Sequence, residues 1–394
     1  MKNKILCGDS LEVLKDFEDN YFDSVVTDPP YGLAFMGKKW DYDVPQVDLW
    51  KEVYRVLKPG GHILSFAGSR TYHRMAVNIE DAGFEIRDML GWLYGSGFPK
   101  SHNIGKAVDK IQGNKREVIG VSTGKGYSSQ QEKNKEQGFR PYKDGLPHEK
   151  ADRTLTKGNS EWEGWGTALK PAHEPIVMAR KPFNTSVAEN VLTHGTGGIN
   201  IDECRIPYKS KDDMEIRTNL ERDVNKLGDG NFVGGKYSQP VESGRFPANI
   251  IHDGSEEVLE VFEESSRFFY CAKASKAERN MGLDELSTKQ TTGGGGGIGN
   301  YLDDVNSASG KYGSEKAPQK NYHPTVKPIK LMEYLVRLVT PKEGIVLEPF
   351  AGSGTTLIAC KQQGFNYIGI EREQEYCDIA EARLKAVQVQ GELF

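Results

Sequence analysis

The segment Asp28-Pro29-Pro30-Tyr31 holds the residue types best suited to chemistry. It follows the apolar stretch Phe22–Thr27, which reads as a strand that ends at a sharp turn. Asp28 and the carbonyl of Pro29 can accept both hydrogens of an exocyclic base amine, whose lone pair is otherwise delocalised into its ring. Tyr31 offers an aromatic face to an extruded base. The segment favours amine activation, with an ordinary Asp-Pro turn and a packed tyrosine as the alternative.

A glycine-rich turn near the other end of the sequence has the character of a ligand site. Phe350-Ala351-Gly352-Ser353-Gly354 follows an apolar strand and precedes a helical stretch. Open α/β sheets bind ligands at the carboxyl ends of their strands, and glycines allow close backbone approach. The turn has no lysine, so a phosphate-binding P-loop is excluded, and Leu357 stands where a dinucleotide fingerprint needs Gly or Ala. A plain strand-to-helix turn remains the alternative.

Glu371 stands at the end of the next strand, where an acid typically accepts the ribose hydroxyls of a nucleotide ligand. A solvated strand end would also explain it. A sugar-bearing ligand without a pyrophosphate satisfies both the turn and the acid. S-adenosylmethionine is such a ligand, and its methyl sulfonium would suit the amine chemistry.

The cysteines and histidines narrow the choice of reaction. Methylation of cytosine carbon 5 needs a thiolate, normally presented after a proline, and none of the 5 cysteines follows one. The cysteines form no CxxC pair, and the 8 histidines lack ligand spacing, so we expect no metal site. Direct methyl transfer to an amine needs neither a thiolate nucleophile nor a metal ion.

The segments that carry these residues read as ordered α/β structure. We expect strands at 62–66, 84–94, 344–348 and 366–371, and helices at 49–57, 328–338, 355–364 and 374–387. The order of strand, turn, helix, strand and helix at the end predicts a doubly wound parallel sheet. No apolar stretch is long enough to cross a membrane, and the cysteine usage predicts a cytoplasmic protein.

The middle of the chain differs from both ends. Residues 98–320 are rich in Gly, Ser, Asn, Lys and Glu, with loop-like stretches at 122–160 and 209–244. Apolar islands at 174–180, 245–252 and 265–274 indicate that this region also folds. Residues 98–330 hold 34 Lys+Arg and 32 Asp+Glu and are therefore slightly basic, although the whole chain carries a net charge of -5. That asymmetry allows the middle to face phosphates.

Taken together, these boxes resemble the DNA amino-methyltransferases of the permuted beta class. In that class a DPPY box precedes the target-recognition region and the cofactor box comes last, as Asp28–Tyr31 and Phe350–Gly354 do here. The stretch 321–328 matches a third motif and contributes Thr325 and Lys327, and Gly8-Asp9-Ser10 contributes the acid expected near the cofactor adenine. The resemblance implies that Asp9, Thr325, Lys327 and Glu371 bind the cofactor, S-adenosylmethionine.

The resemblance also implies an architecture. We expect a Rossmann-like α/β methyltransferase fold, circularly permuted, with an inserted target-recognition region. Residues 1–97 and 321–394 would form the catalytic core, and 98–320 the DNA-binding insertion. Lys4–Cys7 would supply the strand that follows Asn366–Glu371 in the sheet, although the two lie at opposite ends of the sequence.

Residues of the insertion resemble recurring boxes of phage and bacterial members. By that resemblance Phe98 would hold the flipped base and Lys100, Arg267 and Lys273 would contact DNA. A core aromatic and a solvated charged helix are the alternatives.

The expected function is site-specific methylation of adenine N6 in double-stranded DNA, because members acting on cytosine N4 usually have Ser in place of Asp28. Cytosine N4, an RNA substrate and a catalytically silent DNA-binding protein are the alternatives. The resemblance leaves open a homodimer, and a cognate restriction enzyme or an orphan, phage-encoded protein without one.

Overall fold

A computed structural model describes residues 2–33, 41–95, 97, 101–122, 153–208, 244–261, 269–286 and 320–387. The chain divides into two compact units, one formed by residues 1–97 with 172–394 and the other by residues 98–171. In the described part of the chain no helix combines the length and the apolar character needed to cross a bilayer.

Eleven strands are present in the described ranges. They are β1 Lys4–Cys7, β2 Phe22–Thr27, β3 Leu57–Phe66, β4 Glu85–Leu93, β5 Glu117–Ser122, β6 Arg153–Lys157, β7 His173–Arg180, β8 Ile250–His252, β9 Phe269–Tyr270, β10 Ile345–Glu348 and β11 Asn366–Glu371. Nine of them form one sheet in the order β1-β11-β10-β2-β3-β7-β4-β8-β9. Strand β7 runs antiparallel to both β3 and β4, whereas the other described neighbours are parallel.

Ten α-helices connect these strands in the described ranges. They are α1 Ser10–Leu14, α2 Val47–Val56, α3 Tyr72–Asp81, α4 Ile104–Gln112, α5 Val187–His194, α6 Glu256–Val261, α7 Lys276–Arg279, α8 Ile329–Val339, α9 Thr355–Gln363 and α10 Gln374–Ala386. Side chains of α8 and α9 pack with Val26 and Val346, and side chains of α1, α2 and α3 pack with Val25 and Leu347. Because successive strand residues point to opposite faces, helices cover both sides of the sheet. The doubly wound α/β fold expected from the sequence is confirmed.

Strand β1 closes the sheet beside β11, as the permuted order predicts. The two strands pair in parallel, with Lys4 opposite Ile368 and Cys7 opposite Glu371. The backbone N–H of Gly8 also donates to the carbonyl of Glu371 at 2.9 Å. The two terminal segments of the chain therefore contribute to one continuous edge.

The second unit contains α4, β5 and β6. Strands β5 and β6 form an antiparallel pair with a register shift between Val118 and Gly120. Arg116 joins the unit together, because its guanidinium contacts the carboxylates of Asp109 and Glu163. This unit is shorter than the insertion expected over 98–320, since β7, β8 and β9 pair within the main sheet.

Candidate active site

The two chemical segments lie at the carboxyl ends of neighbouring strands. Strands β2 and β10 pair in parallel, with Ser24 opposite Val346 and Val25 opposite Leu347. Asp28 follows β2 directly, and the glycine turn follows β10. Because the strands run in the same direction, the acid and the turn meet at the same edge of the sheet.

Asp28 accepts hydrogen bonds through both carboxylate oxygens. The hydroxyl of Tyr31 donates to Oδ1 at 2.7 Å, and the ammonium of Lys327 donates to Oδ2 at 2.6 Å. The side chain of Asp28 is 18% exposed and that of Lys327 only 8%. The lysine of the third motif therefore neutralises the proposed catalytic acid, from a position almost 300 residues further along the sequence.

The turn that carries Asp28 is held by two neighbouring segments. The backbone N–H groups of Tyr31 and Gly32 donate to Oδ1 of Asp41 at 2.7 and 3.1 Å. The hydroxyl of Thr71 donates to the carbonyl of Tyr31 at 2.7 Å. These bonds hold the backbone of the turn, and the Tyr31 hydroxyl is directed at Asp28.

A second carboxylate, that of Glu174 at the start of β7, joins this group. Its Oε2 lies 3.2 Å from Nζ of Lys327 and 3.3 Å from the hydroxyl oxygen of Tyr31. Its Oε1 accepts from the hydroxyl of Tyr94 at 3.1 Å. The ammonium of Lys273 lies 3.5 Å from the centroid of the Tyr94 ring. Asp28 and Glu174 are thus bridged by the same two donors.

Burial and the two carboxylates set the protonation of the group. Burial raises the pKa of Asp28, Lys327 opposes that rise and Glu174 adds to it. Burial disfavours the charged ammonium of Lys327, but the carboxylates outweigh burial and raise its pKa. Burial and Asp28 raise the pKa of Tyr31 well above its usual value. Lys327 is therefore a cation and Tyr31 a neutral donor at neutral pH.

The glycine turn has a backbone shape that other residues rarely adopt. Gly352 has φ 51° and Gly354 has φ 77°, and Gly354 caps the start of α9. A Cβ atom at Gly352 would lie 2.9 Å from Nε2 of His323. Glycine is needed here for conformation and for space.

Glu371 supports the turn from β11. Its Oε2 accepts from the backbone N–H of Gly352 at 2.8 Å, and its Oε1 accepts from the N–H of Glu373 at 2.9 Å. Burial raises the pKa of Glu371. Each carboxylate oxygen retains a second lone pair, so the acid can still accept from ribose hydroxyls.

Two buried side chains tie the turn to its surroundings. Glu348, 2% exposed, accepts from the hydroxyls of Thr27 and Thr356 and from the N–H of Phe350. Burial raises the pKa of Glu348 to about 8. Arg383 of α10, fully buried, donates to the carbonyl of Ser353 at 2.6 Å. The end of β2 and the glycine turn are therefore linked through Glu348.

The other predicted cofactor residues lie at the same edge or close to it. Asp9 is exposed and caps α1 by accepting from the N–H of Leu11 at 3.0 Å. Thr325 is exposed, and its carbonyl lies 2.6 Å from Nδ1 of His323. Lys327 instead contacts Asp28 and Glu174, so its predicted cofactor contact stays a prediction. The lack of a side chain at Gly352 and the carboxylates of Asp9 and Glu371 suit a cationic, sugar-bearing ligand.

The residues predicted to contact base and DNA are only partly described. Phe98, Lys100 and Arg267 lie outside the described residues. Lys273 is described and exposed, and it lies on the Tyr94 ring beside Glu174. The sequence did not predict this position of Lys273 beside Tyr94 and Glu174.

Sequence reasoning gave no role to Glu174, Glu348, Arg383 or His323. His323 lies within the third motif, 321–328, but a motif does not reveal which side chain faces the site. Glu348 precedes the glycine turn directly, so its position was the available signal. Nothing in the amphipathic pattern of α10 marks the buried Arg383.

Comparisons with known proteins give one family model and several similar proteins. A family model described as DNA methylase matches residues 22–382. The Type II methyltransferase M.HindIII of Haemophilus influenzae is 25% identical over 342 residues, covering 86% of this chain and 68% of that protein. The Type II methyltransferase M.HinfI of Haemophilus influenzae is 45% identical over 69 residues, covering 18% of this chain and 19% of that protein. A solved structure of the PvuII DNA methyltransferase (cytosine-N4-specific) is 14% identical, covers 99% of this chain and 87% of that chain, and has a TM-score of 0.44.

Proposed function

This chain belongs to the DNA methylase family, and we propose that it transfers a methyl group from S-adenosylmethionine to N6 of adenine in double-stranded DNA. The observation that carries the proposal is the shared edge of β2 and β10. It brings the acid of the DPPY box beside the glycine turn of the cofactor box, and Glu348 links the two through Thr27 and Phe350.

The chemistry requires an amine made more nucleophilic beside a methyl electrophile, which S-adenosylmethionine supplies when bound. Asp28 and the carbonyl of Pro29 accept the two amine hydrogens, which favours a pyramidal nitrogen with a localised lone pair. Asp28 then takes the proton that the methylated nitrogen releases. Pro29 and Pro30 lack backbone donors and stiffen the turn. The Tyr31 ring is assigned to stacking on the extruded base.

The glycine turn, with Phe350 and Ala351 at its start and Ser353 between the glycines, is assigned to the cofactor. Glu371 would accept from the ribose hydroxyls, and Asp9, beside the end of β11, would lie near the adenine of the cofactor. Thr325 belongs to the same edge through His323, whose ring lies against Gly352. The acids suit a ligand with a sulfonium and an ammonium group.

Adenine is proposed because Asp, and not Ser, begins the catalytic box. Duplex DNA is proposed because sequence reading needs a surface apart from the chemistry. The unit formed by residues 98–171, which is part of the predicted insertion, is assigned to target recognition.

Transfer of a labelled methyl group from S-adenosylmethionine to mixed-sequence duplex DNA tests the proposal. We expect label on DNA with the wild type and a loss of at least about 100-fold with Asp28→Ala, since a positioned acid or base contributes that much or more. Calorimetry should show nearly unchanged affinity of that variant for S-adenosylmethionine, because Asp28 contacts the base.

Asp48→Ala is the matched control, since Asp48 is an aspartate with an exposed side chain at the start of α2. It should transfer label as the wild type does. A wild type that binds S-adenosylmethionine but labels no DNA, as inactive as Asp28→Ala, would contradict the enzyme assignment and favour a silent DNA-binding protein.

A further inference from the structure

The carboxylate of Glu174 has no part in the reaction described above, yet it is built into the site. The two donors that engage Asp28 also reach Glu174, because Nζ of Lys327 lies 3.2 Å and the Tyr31 hydroxyl 3.3 Å from its Oε2. Both contacts are longer than those the same donors make to Asp28. Glu174 is therefore the second acceptor for both donors.

The position of Glu174 is fixed by its strand and by its other oxygen. Strand β7 lies between β3 and β4, and Glu174 pairs with Trp92 of β4. The Tyr94 hydroxyl occupies Oε1, and the side chain of Glu174 is 21% exposed. A carboxylate held from two sides can receive a donor without moving far itself.

Asp28 must accept a hydrogen bond from the base amine although both of its oxygens already accept one, and a second acceptor for those donors would free it. Its two oxygens bind a cation and a hydroxyl, and those bonds draw electron density from the carboxylate that must accept the amine hydrogens. An acid that keeps a full ion pair with Lys327 is a weak proton acceptor. The donors need another partner when the amine arrives.

We propose that Glu174 is a positioning residue, which takes the Lys327 ammonium and the Tyr31 hydroxyl when the base amine binds, and so leaves Asp28 as the acceptor. This inference rests on the proposed function. No covalent bond forms or breaks in the step: two hydrogen bonds move from Asp28 to Glu174, and one amine hydrogen takes their place on Asp28 while the other goes to the carbonyl of Pro29. Glu174 acts on the reaction through Lys327 and Tyr31.

Because of the charged groups around Asp28, this exchange should change how the rate of methyl transfer depends on pH. Tyr31 faces Asp28 from its own turn, Lys327 from the segment before α8, Glu174 from β7 and Glu348 from the end of β10. Behind Glu174 stand Tyr94 and Lys273. The Glu174 charge raises the pKa of Asp28 and Lys327 lowers it. Removing that charge must therefore lower the pKa of Asp28 and weaken it as a base.

Glu174→Gln tests the inference because it keeps the shape and removes the charge. Single-turnover methyl transfer would be measured from pH 5 to 9 with saturating DNA and S-adenosylmethionine. We expect a maximal rate lower by about tenfold or more, an acid limb moved to lower pH, and unchanged S-adenosylmethionine affinity. Glu174→Asp keeps the charge, so its acid limb should return to the wild-type position.

Glu85→Gln is the matched control, since it removes an exposed carboxylate that β4 presents to Arg180, opposite it on β7. It should leave the rate and the acid limb as in the wild type. A slower Glu174→Gln enzyme with a lower melting temperature and an unmoved acid limb would overturn the inference in favour of a structural role. A wild type without methyl transfer would contradict the proposed function instead, which keeps the two failures distinct.

Discussion

At the residue scale, Gly352 combines a positive φ with a lack of space. Its φ is 51°, and a Cβ there would come within 2.9 Å of Nε2 of His323. We expect Gly352→Val to weaken S-adenosylmethionine binding by at least tenfold, because the turn and the His323 ring must both shift. Isothermal titration calorimetry measures the affinity directly.

Gly364 provides the control for that substitution. It also has a positive φ, 76°, but a Cβ there would meet nothing within 4 Å. Gly364→Ala should reduce the melting temperature slightly and leave the affinity for S-adenosylmethionine unchanged. If Gly352→Val bound S-adenosylmethionine as tightly as Gly364→Ala does, the turn would not be the cofactor site.

Single residues of the site differed in how far the sequence could predict them. Asp28 and Gly352 were predictable as neighbours, because the carboxyl ends of adjacent parallel strands share an edge. The ion pair between Lys327 and Asp28 was not predictable, since an ion pair between distant segments depends on which way each side chain faces. Glu174 was not predictable either, because a lone acid before an apolar strand has no spacing signal.

At the element scale, Glu348 joins β2, β10 and α9 as a buried acid. Its pKa of about 8 means that the folded protein keeps its proton to higher pH than the unfolded chain does. The stability from this group is present below its ordinary pKa of 4.5 and is lost as pH rises towards 8. Glu348→Gln cannot ionise. We therefore expect its melting temperature to fall less between pH 5 and 8 than that of the wild type does.

Circular dichroism melts across that pH range measure the difference. Glu381→Gln is the control, because Glu381 is a half-exposed glutamate on α10. The melting temperature of Glu381→Gln should fall with rising pH as that of the wild type does. Identical slopes for Glu348→Gln and the wild type would show that Glu348 is ionised in the folded state.

The elements themselves were predicted best where the local pattern was strong. Strands β2 and β11 have the predicted bounds, and α9 ends at Gln363, one residue before the predicted end, with Gly364 as its cap. Strand β3 begins at Leu57, before the predicted start at residue 62, because Leu57 pairs with Phe22 ahead of a register shift, after which His62 pairs with Ser24. The place of β7 between β3 and β4 was not predictable, since pairing between distant strands leaves no local pattern.

At the scale of the whole molecule, the chain leaves the main unit and returns to it at adjacent points. The N–H of Tyr94 donates to the carbonyl of Ala172 at 3.0 Å, across the unit of residues 98–171. We expect replacement of 98–171 by a short Gly-Ser linker to leave a cooperative thermal transition and S-adenosylmethionine binding. Sequence-specific methylation should be lost, because the recognition surface is removed.

Methylation mapping by long-read sequencing compares that variant with the full chain. Modification of the same sites at the same level by both proteins would place target recognition elsewhere in the molecule. The full chain, and a variant with a linker inserted into 98–171 at an exposed loop, serve as controls for folding.

The proposed reaction is methylation of adenine N6 at the edge that β2 and β10 share. Nucleoside mass spectrometry of unmethylated duplex DNA tests it, after incubation with the protein and S-adenosylmethionine and with Asp28→Ala run in parallel. We expect N6-methyladenine with the wild type and none with Asp28→Ala. N4-methylcytosine would contradict the base assignment, and equal N6-methyladenine from both proteins would contradict the site.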